Sequence, residues 1–276
     1  MTFFYIRNNE ILSAMKEIFR KMAKLIAIVI ISAIFLCPCI INSQENLSDK
    51  KIPFSPGEKI IYHGRWGPIE AGEITLEVFP NDIVDGVEAY HFVMTTKTNA
   101  LVDMIYKIRQ RQDSWVDIHM THSLLYKNRI ESKHPRDEIV TFNWNKNEVT
   151  YTNFGQTKKP TPIPPGTFDP LGFFFATRMQ NFKENTVIDL PFTDGNNTTT
   201  IARATVGERV LIEINGKNYD TYEIYPDIER IKDAAKRKDS LNLKMWLTAD
   251  KKKIPVKIQT KVGIITFDFD IVSISP

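Results

Sequence analysis

The residues that stand closest together and could do chemistry are Asp117, His119 and His122, in the segment DIHMTH. Carboxylates and imidazoles are common ligands of Zn²⁺, but a site needs at least three side chains that converge on the metal. In a strand, Asp117 and His119 share one face and His122 lies on the other. The segment therefore favours polar residues at a strand end, and we predict no metal and no cofactor.

Carboxylates could act as general acid and base in a hydrolase, and Asp117, Asp169 and the pair Asp268 and Asp270 are candidates. The alternation in TFDFDI favours a solvent-facing row for Asp268 and Asp270, and Asp169 is well placed to cap a helix. The sequence holds no nucleophile elbow, HExxH motif, phosphate-binding glycine loop or dinucleotide fingerprint. We predict no catalytic residue and no enzyme activity. The alternative is a hydrolase of an envelope polymer that uses paired carboxylates such as Asp117 or Asp169.

An apolar cavity is the second kind of site that the sequence offers, with Phe173, Phe174 and Trp115 as its candidate lining residues. The first two belong to the aromatic segment TFDPLGFFFATRMQNF, which also fits a helix that packs its face on a sheet. The two interpretations are compatible. Trp115 and Trp246 lie in alternating segments, which favours core positions over sugar-binding platforms.

The elements that must position these residues are mainly β-strands, because a polar–apolar alternation recurs from residue 59 to residue 274. Asp85-Gly86 predicts a hairpin, and Asn215-Gly216 predicts another turn. We predict an antiparallel, strongly curved sheet or open barrel with two or three short helices. The predicted strands are Lys59–Arg65, Glu73–Phe79, Val87–Thr98, Ile108–Ile118, Ser123–Ser132, Glu138–Trp144, Glu148–Asn153, Thr186–Phe192, Thr198–Val206, Arg209–Ile214, Tyr219–Tyr225, Leu241–Thr248, Ile254–Val262 and Ile264–Ile274.

The strongest helix prediction begins at Pro170, with Asp169 as its N-cap and a sheet-facing side of Leu171, Phe174, Phe175 and Met179. The segment Ala100–Tyr106 predicts one short helical turn. The charged insert Asp227–Asp239 predicts a third short helix, on the surface. Residues 158–166 contain four prolines and are the best candidate for a boundary between two sub-portions of a single β-rich domain at 57–275.

The first 43 residues have the three parts of a secretory signal: a basic region, the apolar run Leu25–Leu36 and a small residue before the cleavage point Ser43/Gln44. Met15 and Met22 are alternative starts to Met1. An uncleaved anchor and a lipoprotein processed at Cys37 or Cys39 are the alternatives to cleavage. We predict an exported protein, periplasmic or associated with the outer membrane, with a flexible lead-in at residues 44–56.

The net charge of +3 does not point to nucleic acid. Residues 1–43 contain five of the 36 basic and two of the 33 acidic side chains, so the rest of the chain is balanced. No basic face remains for a run of phosphates. Both cysteines also lie in the leader, so the predicted mature chain has no disulfide.

Four segments together resemble an exported Gram-negative family of unknown function, domain of unknown function 3108. The resemblance covers residues 54–274 and implies export and a β-rich fold, but no activity. The Trp246-Leu-x-x-Asp250 turn is also similar to periplasmic lipoprotein carriers, whose curled sheet holds acyl chains. The segments are PGEKIIYHGRWGPIEAGEITLEV, TKTNALVDMIYKIRQRQDSWVD, FDPLGFFFATR and MWLTADKKKIPVKIQTKVGIITFDF.

These observations predict a non-catalytic envelope protein whose curled sheet binds an apolar ligand, such as a lipid, or another envelope protein. A purely structural or assembly role is a further alternative, and it would require a large apolar patch on the outer surface.

Overall fold

A computed structural model describes residues 52–196, 199–227, 241–262 and 265–276. The predicted signal peptide, its alternatives and nearly all of the charged insert Asp227–Asp239 lie outside these ranges.

Fifteen strands and two short helices make up the described chain. The helices are α1, Ala100–Tyr106, and α2, Pro170–Arg178. The strands are β1 Lys59–Trp66, β2 Ile69–Val84, β3 Val87–Thr98, β4 Arg109–Asp117, β5 Ser123–Glu131, β6 Arg136–Asn143, β7 Glu148–Asn153, β8 Gln156–Thr157, β9 Thr161–Pro162, β10 Val187–Thr193, β11 Thr199–Ile214, β12 Lys217–Pro226, β13 Leu241–Thr248, β14 Pro255–Val262 and β15 Ile265–Ser275.

All strands pair in one antiparallel sheet in the order β10-β11-β12-β13-β14-β15-β1-β2-β3-β4-β5-β6-β7-β8, with β9 beside β7. The last strand therefore pairs with the first, and the two halves of the chain join through β15 and β1. Within the described ranges the sheet ends at β10 on one side and at β8 and β9 on the other, so it does not close. The predicted fold class, mainly β and antiparallel with a curved open sheet, is confirmed.

The two ends of the sheet approach each other across a seam. Gly195, in the turn after β10, is so close to β6 that an added Cβ would lie 2.4 Å from the Val140 Cγ2 atom. The segment before α2 binds both sides of the seam: Ser123 N donates to Thr167 O at 3.1 Å, and Phe168 N donates to Pro191 O at 2.9 Å. This segment directly follows the proline-rich residues 158–166, so the chain passes through the seam just before α2.

The hairpin at Asp85-Gly86 is confirmed, with φ angles of 50° and 82° that suit the twist of the flanking strands. The predicted break between Thr198–Val206 and Arg209–Ile214 is wrong. These segments form one strand, β11, whose register shifts between Val206 and Arg209, so a bulge rather than a turn takes up the intervening residues.

The core lies on the inner face of the bent sheet and includes aromatic side chains from both halves of the chain. Phe54 lies ahead of the predicted domain start at residue 57, yet it is buried and contacts Phe92 and Phe175 edge-to-face, with centroids 5.3 and 5.2 Å apart. The packed domain therefore includes part of the predicted lead-in. Asp270, predicted to face solvent, is instead buried, and it forms ion pairs with Arg65 of β1 and Lys257 of β14, the two strands beside β15.

Among the described helices, neither is long and apolar enough to cross a membrane.

Candidate functional site

The candidate site is built around helix α2, whose first turn is fixed by its cap. Both predicted features are confirmed: Asp169 is the N-cap, and Pro170 occupies the first turn. The Asp169 Oδ1 atom accepts from the backbone N–H groups of Leu171 and Gly172, each at 2.9 Å. Gly172 is required because a Cβ there would lie 2.8 Å from Ser123 Oγ and from Val116 Cγ2. The absence of a side chain at Gly172 thus lets the helix start close against β4 and β5.

The other carboxylate oxygen of Asp169 is tied to the sheet. Asp169 Oδ2 accepts from the hydroxyls of Ser114 and Ser123, each at 2.6 Å. The side chain is fully buried, and burial raises the pKa of Asp169 to about 6 against the lowering effect of its hydrogen bonds. Every oxygen of this carboxylate has a structural partner, which supports the capping interpretation of Asp169.

The end of α2 is fixed by an ion pair that the sequence did not reveal. Arg178 is completely buried, and its guanidinium donates to Glu58 Oε1 at 2.5 Å and to Glu58 Oε2 at 3.1 Å. It also donates to the backbone O of Lys252 at 3.0 Å and to that of Pro53 at 3.4 Å. We call these contacts the Arg178 clamp. It ties α2 to the start of β1 and to the turn between β13 and β14.

The buried stripe of α2 contains Leu171, Phe175 and Arg178, one residue per helical turn. Of the residues predicted to face the sheet, Leu171 and Phe175 are buried, and Phe174 and Met179 are partly buried and pack against the core. The stripe was missed because it includes an arginine, which counts as polar in a periodicity pattern. Phe175 stacks on Phe92 with centroids 3.8 Å apart.

An apolar cavity, the α2 pocket, lies between α2 and strands β10–β14. Its volume is about 700 Å³ when the part open to solvent is included. From α2, Phe173 and Phe174 form part of its wall, and the Phe173 ring meets Phe192 of β10 edge-to-face at 5.6 Å. The lining residues are Pro170, Phe173, Phe174, Thr177, Ile188, Phe192, Ala202, Arg203, Ala204, Pro226, Leu243, Met245, Leu247 and Pro255.

The space under α2 exists because β11 presents two alanines on its inner face. Ala202 and Ala204 stand opposite Leu190 and Ile188 of β10, and both alanines are buried. Larger side chains at these positions would extend into the pocket. Sequence reasoning missed both residues, although the alternation of small residues at i and i+2 in TTIARATV was a visible signal.

Of the three predicted cavity residues, the structure brings together Phe173 and Phe174 but not Trp115. The Trp115 ring stacks on His91 with centroids 4.4 Å apart, and its Nε1 atom donates to Asp82 Oδ2 at 2.9 Å. Lys127 Nζ lies 5.3 Å from the ring centroid. Trp115 is therefore a buried member of a polar and aromatic cluster on β2–β5, away from the α2 pocket.

The DIHMTH segment forms a turn rather than the end of a strand, so the face argument used for it was wrong beyond Asp117. Asp117 Oδ1 accepts from the backbone N of Thr121 at 2.6 Å and from that of His122 at 2.8 Å. Its Oδ2 atom accepts from His119 N at 3.1 Å. Burial lowers the pKa of His122. In the described ranges, no group of three or more His, Cys, Asp or Glu side chains could hold a metal ion.

The fold and the pocket define the class of this protein: an open, barrel-like antiparallel β protein with a helix over an apolar cavity. The sequence pattern of a protein family of unknown function, DUF3108, matches residues 61–270, and the chain belongs to this family. The resemblance drawn from the sequence is thus confirmed.

A solved structure of very low sequence identity shows the same fold. A β-barrel-like protein of the family of unknown function DUF1849 from Brucella abortus is 9% identical, with a TM-score of 0.50 over 79% of this chain and 96% of its own. A candidate lipoprotein from Parabacteroides distasonis ATCC 8503 is 10% identical, with a TM-score of 0.32 over 83% of this chain and all of its own. No curated protein matches the sequence.

Proposed function

We propose that this protein is a non-catalytic, exported envelope protein that binds an apolar ligand in the α2 pocket. The observation that supports this function is the pocket itself, which is concave and lined mainly by apolar side chains, as small-molecule sites are. Export is supported by the basic region, apolar run and small residue of the first 43 residues.

The geometry of the carboxylates speaks against the hydrolase alternative. Asp117 uses both oxygens to accept from the backbone of its own turn, and Asp169 uses both to hold α2. A general acid or base must reach a substrate proton, but Asp169 is fully buried beneath the helix that it caps. Both candidates therefore have structural roles that leave them poorly placed for catalysis.

One observation on α1 favours the alternative function, in which this protein binds another envelope protein. Leu101 is 54% exposed and Met104 is 77% exposed, and their i, i+3 spacing places them on the same face of this helix. Such a face would suit a contact with a partner. If this is the function, replacing both residues by Ser should abolish co-purification of the partner and leave the content of the pocket unchanged.

The ligand proposal is tested by purifying the protein from the cell envelope, extracting it with organic solvent and analysing the extract and the intact protein by mass spectrometry. The wild type should carry a stoichiometric apolar ligand. Ala204→Phe should lose it, because the ring would occupy the space under α2.

Leu211→Phe is the matched control, since Leu211 lies on the same strand but is 69% exposed and outside the pocket lining. Circular dichroism establishes that both variants are folded. Wild-type protein without bound ligand, or equal ligand content in the folded Ala204→Phe variant and the control, would contradict the proposal.

A further inference from the structure

We infer that the α2 pocket takes only the hydrocarbon chain of its ligand and leaves the polar headgroup in solvent. The pocket then selects ligands by their chain and not by their headgroup. This inference rests on the function proposed above, and it follows from how the polar groups of the lining are already engaged.

The polar residues of the lining are Thr177 and Arg203, and the Arg203 side chain lies on the opposite face of β11 from the inward Ala202 and Ala204. The Thr177 hydroxyl donates to the backbone O of Phe173 at 3.0 Å, within α2 itself. The Arg203 guanidinium forms a two-pronged pair with Asp189, with Nε to Oδ1 at 2.8 Å and Nη2 to Oδ2 at 2.6 Å. Each polar side chain of the lining therefore has a partner before any ligand arrives.

The backbone of the lining offers few donors as well. Pro170, Pro226 and Pro255 lack an N–H group, and the carbonyl of Pro255 accepts from the Tyr62 hydroxyl at 2.7 Å. Residues 202–204 pair in register with β10, so their backbone groups belong to the sheet ladder. A polar group that entered this pocket would lose its water and find little to replace it.

The same apolar lining favours the binding of a hydrocarbon chain. Each methylene that leaves water for the pocket should strengthen binding about fourfold, as expected for burial of apolar surface. A carboxylate or phosphate gains nothing inside, because the Arg203 side chain lies on the outer face of β11 and is already paired with Asp189. The headgroup is expected to remain at the mouth in contact with water.

The test uses the full mature chain after removal of any bound lipid, at pH 8, where a fatty acid is ionised. Decanoate, dodecanoate, dodecanol and methyl dodecanoate are each allowed to displace the uncharged fluorophore 1-N-phenylnaphthylamine. The twelve-carbon compounds should agree within fivefold, and dodecanoate should bind more than fivefold tighter than decanoate. The same ranking is expected for the double variant Arg203→Gln/Asp189→Asn, which removes both charges of the pair together.

The outcomes separate this inference from the proposed function. If the three twelve-carbon compounds bind but differ by more than fivefold, the headgroup enters the pocket and the inference is wrong. A preference for dodecanoate that disappears in the double variant would identify Arg203 as a headgroup ligand. If neither the fluorophore nor any of the four compounds binds, the proposed function itself fails.

Discussion

Replacing Arg178 by Met should be among the most destabilising single changes in this chain. Arg178 is completely buried, and its partner Glu58 is only 5% exposed. Methionine fills a similar volume but leaves the Glu58 carboxylate buried without a cation. Removing one partner of a buried pair typically costs about 3–5 kcal/mol, against a total stability of about 5–15 kcal/mol for a native protein.

Urea unfolding followed by circular dichroism measures this cost. With an m-value of about 2 kcal/mol per molar, a loss of about 4 kcal/mol lowers the unfolding midpoint by about 2 M. The double variant Arg178→Met/Glu58→Leu removes both charges and should recover most of the loss, because well-packed apolar replacements of a buried pair are often neutral.

Arg209→Met is the matched control for the Arg178 clamp. Arg209 also makes a two-pronged pair, with Asp220, but both side chains are about half exposed. Its loss should leave the midpoint almost unchanged. If Arg178→Met shifts the midpoint no more than Arg209→Met, or if the double variant is no more stable than Arg178→Met, the clamp does not stabilise the fold as argued.

Three further changes test other parts of the structure. The raised pKa of Asp169 means that the folded state binds its proton more tightly than the unfolded state does. The free energy of unfolding should therefore fall by about 3 kcal/mol as the pH rises from about 4 to about 6. Asp169→Asn should remove this contribution, seen as a pH-dependent difference between variant and wild type in urea midpoints; a constant difference would contradict it. Gly72→Ala places a Cβ 2.2 Å from the Lys97 carbonyl oxygen and should cost about 3 kcal/mol, whereas Gly86→Ala, with open space around it, should cost about 1 kcal/mol. Equal costs would refute the close approach at Gly72. Asp117→Ala should cost about 2 kcal/mol or more, because three backbone N–H groups lose their acceptor, and should increase proteolytic cleavage within residues 117–122; unchanged cleavage would contradict this role.

The strands could be predicted from the sequence because the alternation of side chains between two faces is a local property. Val87–Thr98 and Glu148–Asn153 match the structure at both ends. The order of the strands was not predictable in this way. The pairing of β15 with β1 joins residues about two hundred positions apart, and neither strand carries a local signal for that partner.

The residues of the candidate site could be predicted from the sequence only where they belong to a single element. Asp169 and Pro170 mark the start of α2 by their types and their spacing, and Phe173 and Phe174 follow from the same helix. The alanines of β11 and the Glu58–Arg178 pair depend on contacts between distant segments. Arg178 follows Glu58 by 120 residues, so no local signal links the two, and a buried arginine is rare enough that periodicity counts it as exposed.

The two features that the sequence did not reveal, the Glu58–Arg178 pair and the alanines of β11, both depend on how α2 is rotated about its axis. Arg178 can reach Glu58 only when the stripe of Leu171, Phe175 and Arg178 faces the core. With 100° between successive residues, that orientation turns Phe173 and Phe174 towards β10–β14 and leaves the alanines of β11 opposite them. The clamp and the pocket are therefore consequences of one rotational setting of the helix. A change at Glu58 should accordingly alter ligand binding, although Glu58 is not among the lining residues of the pocket.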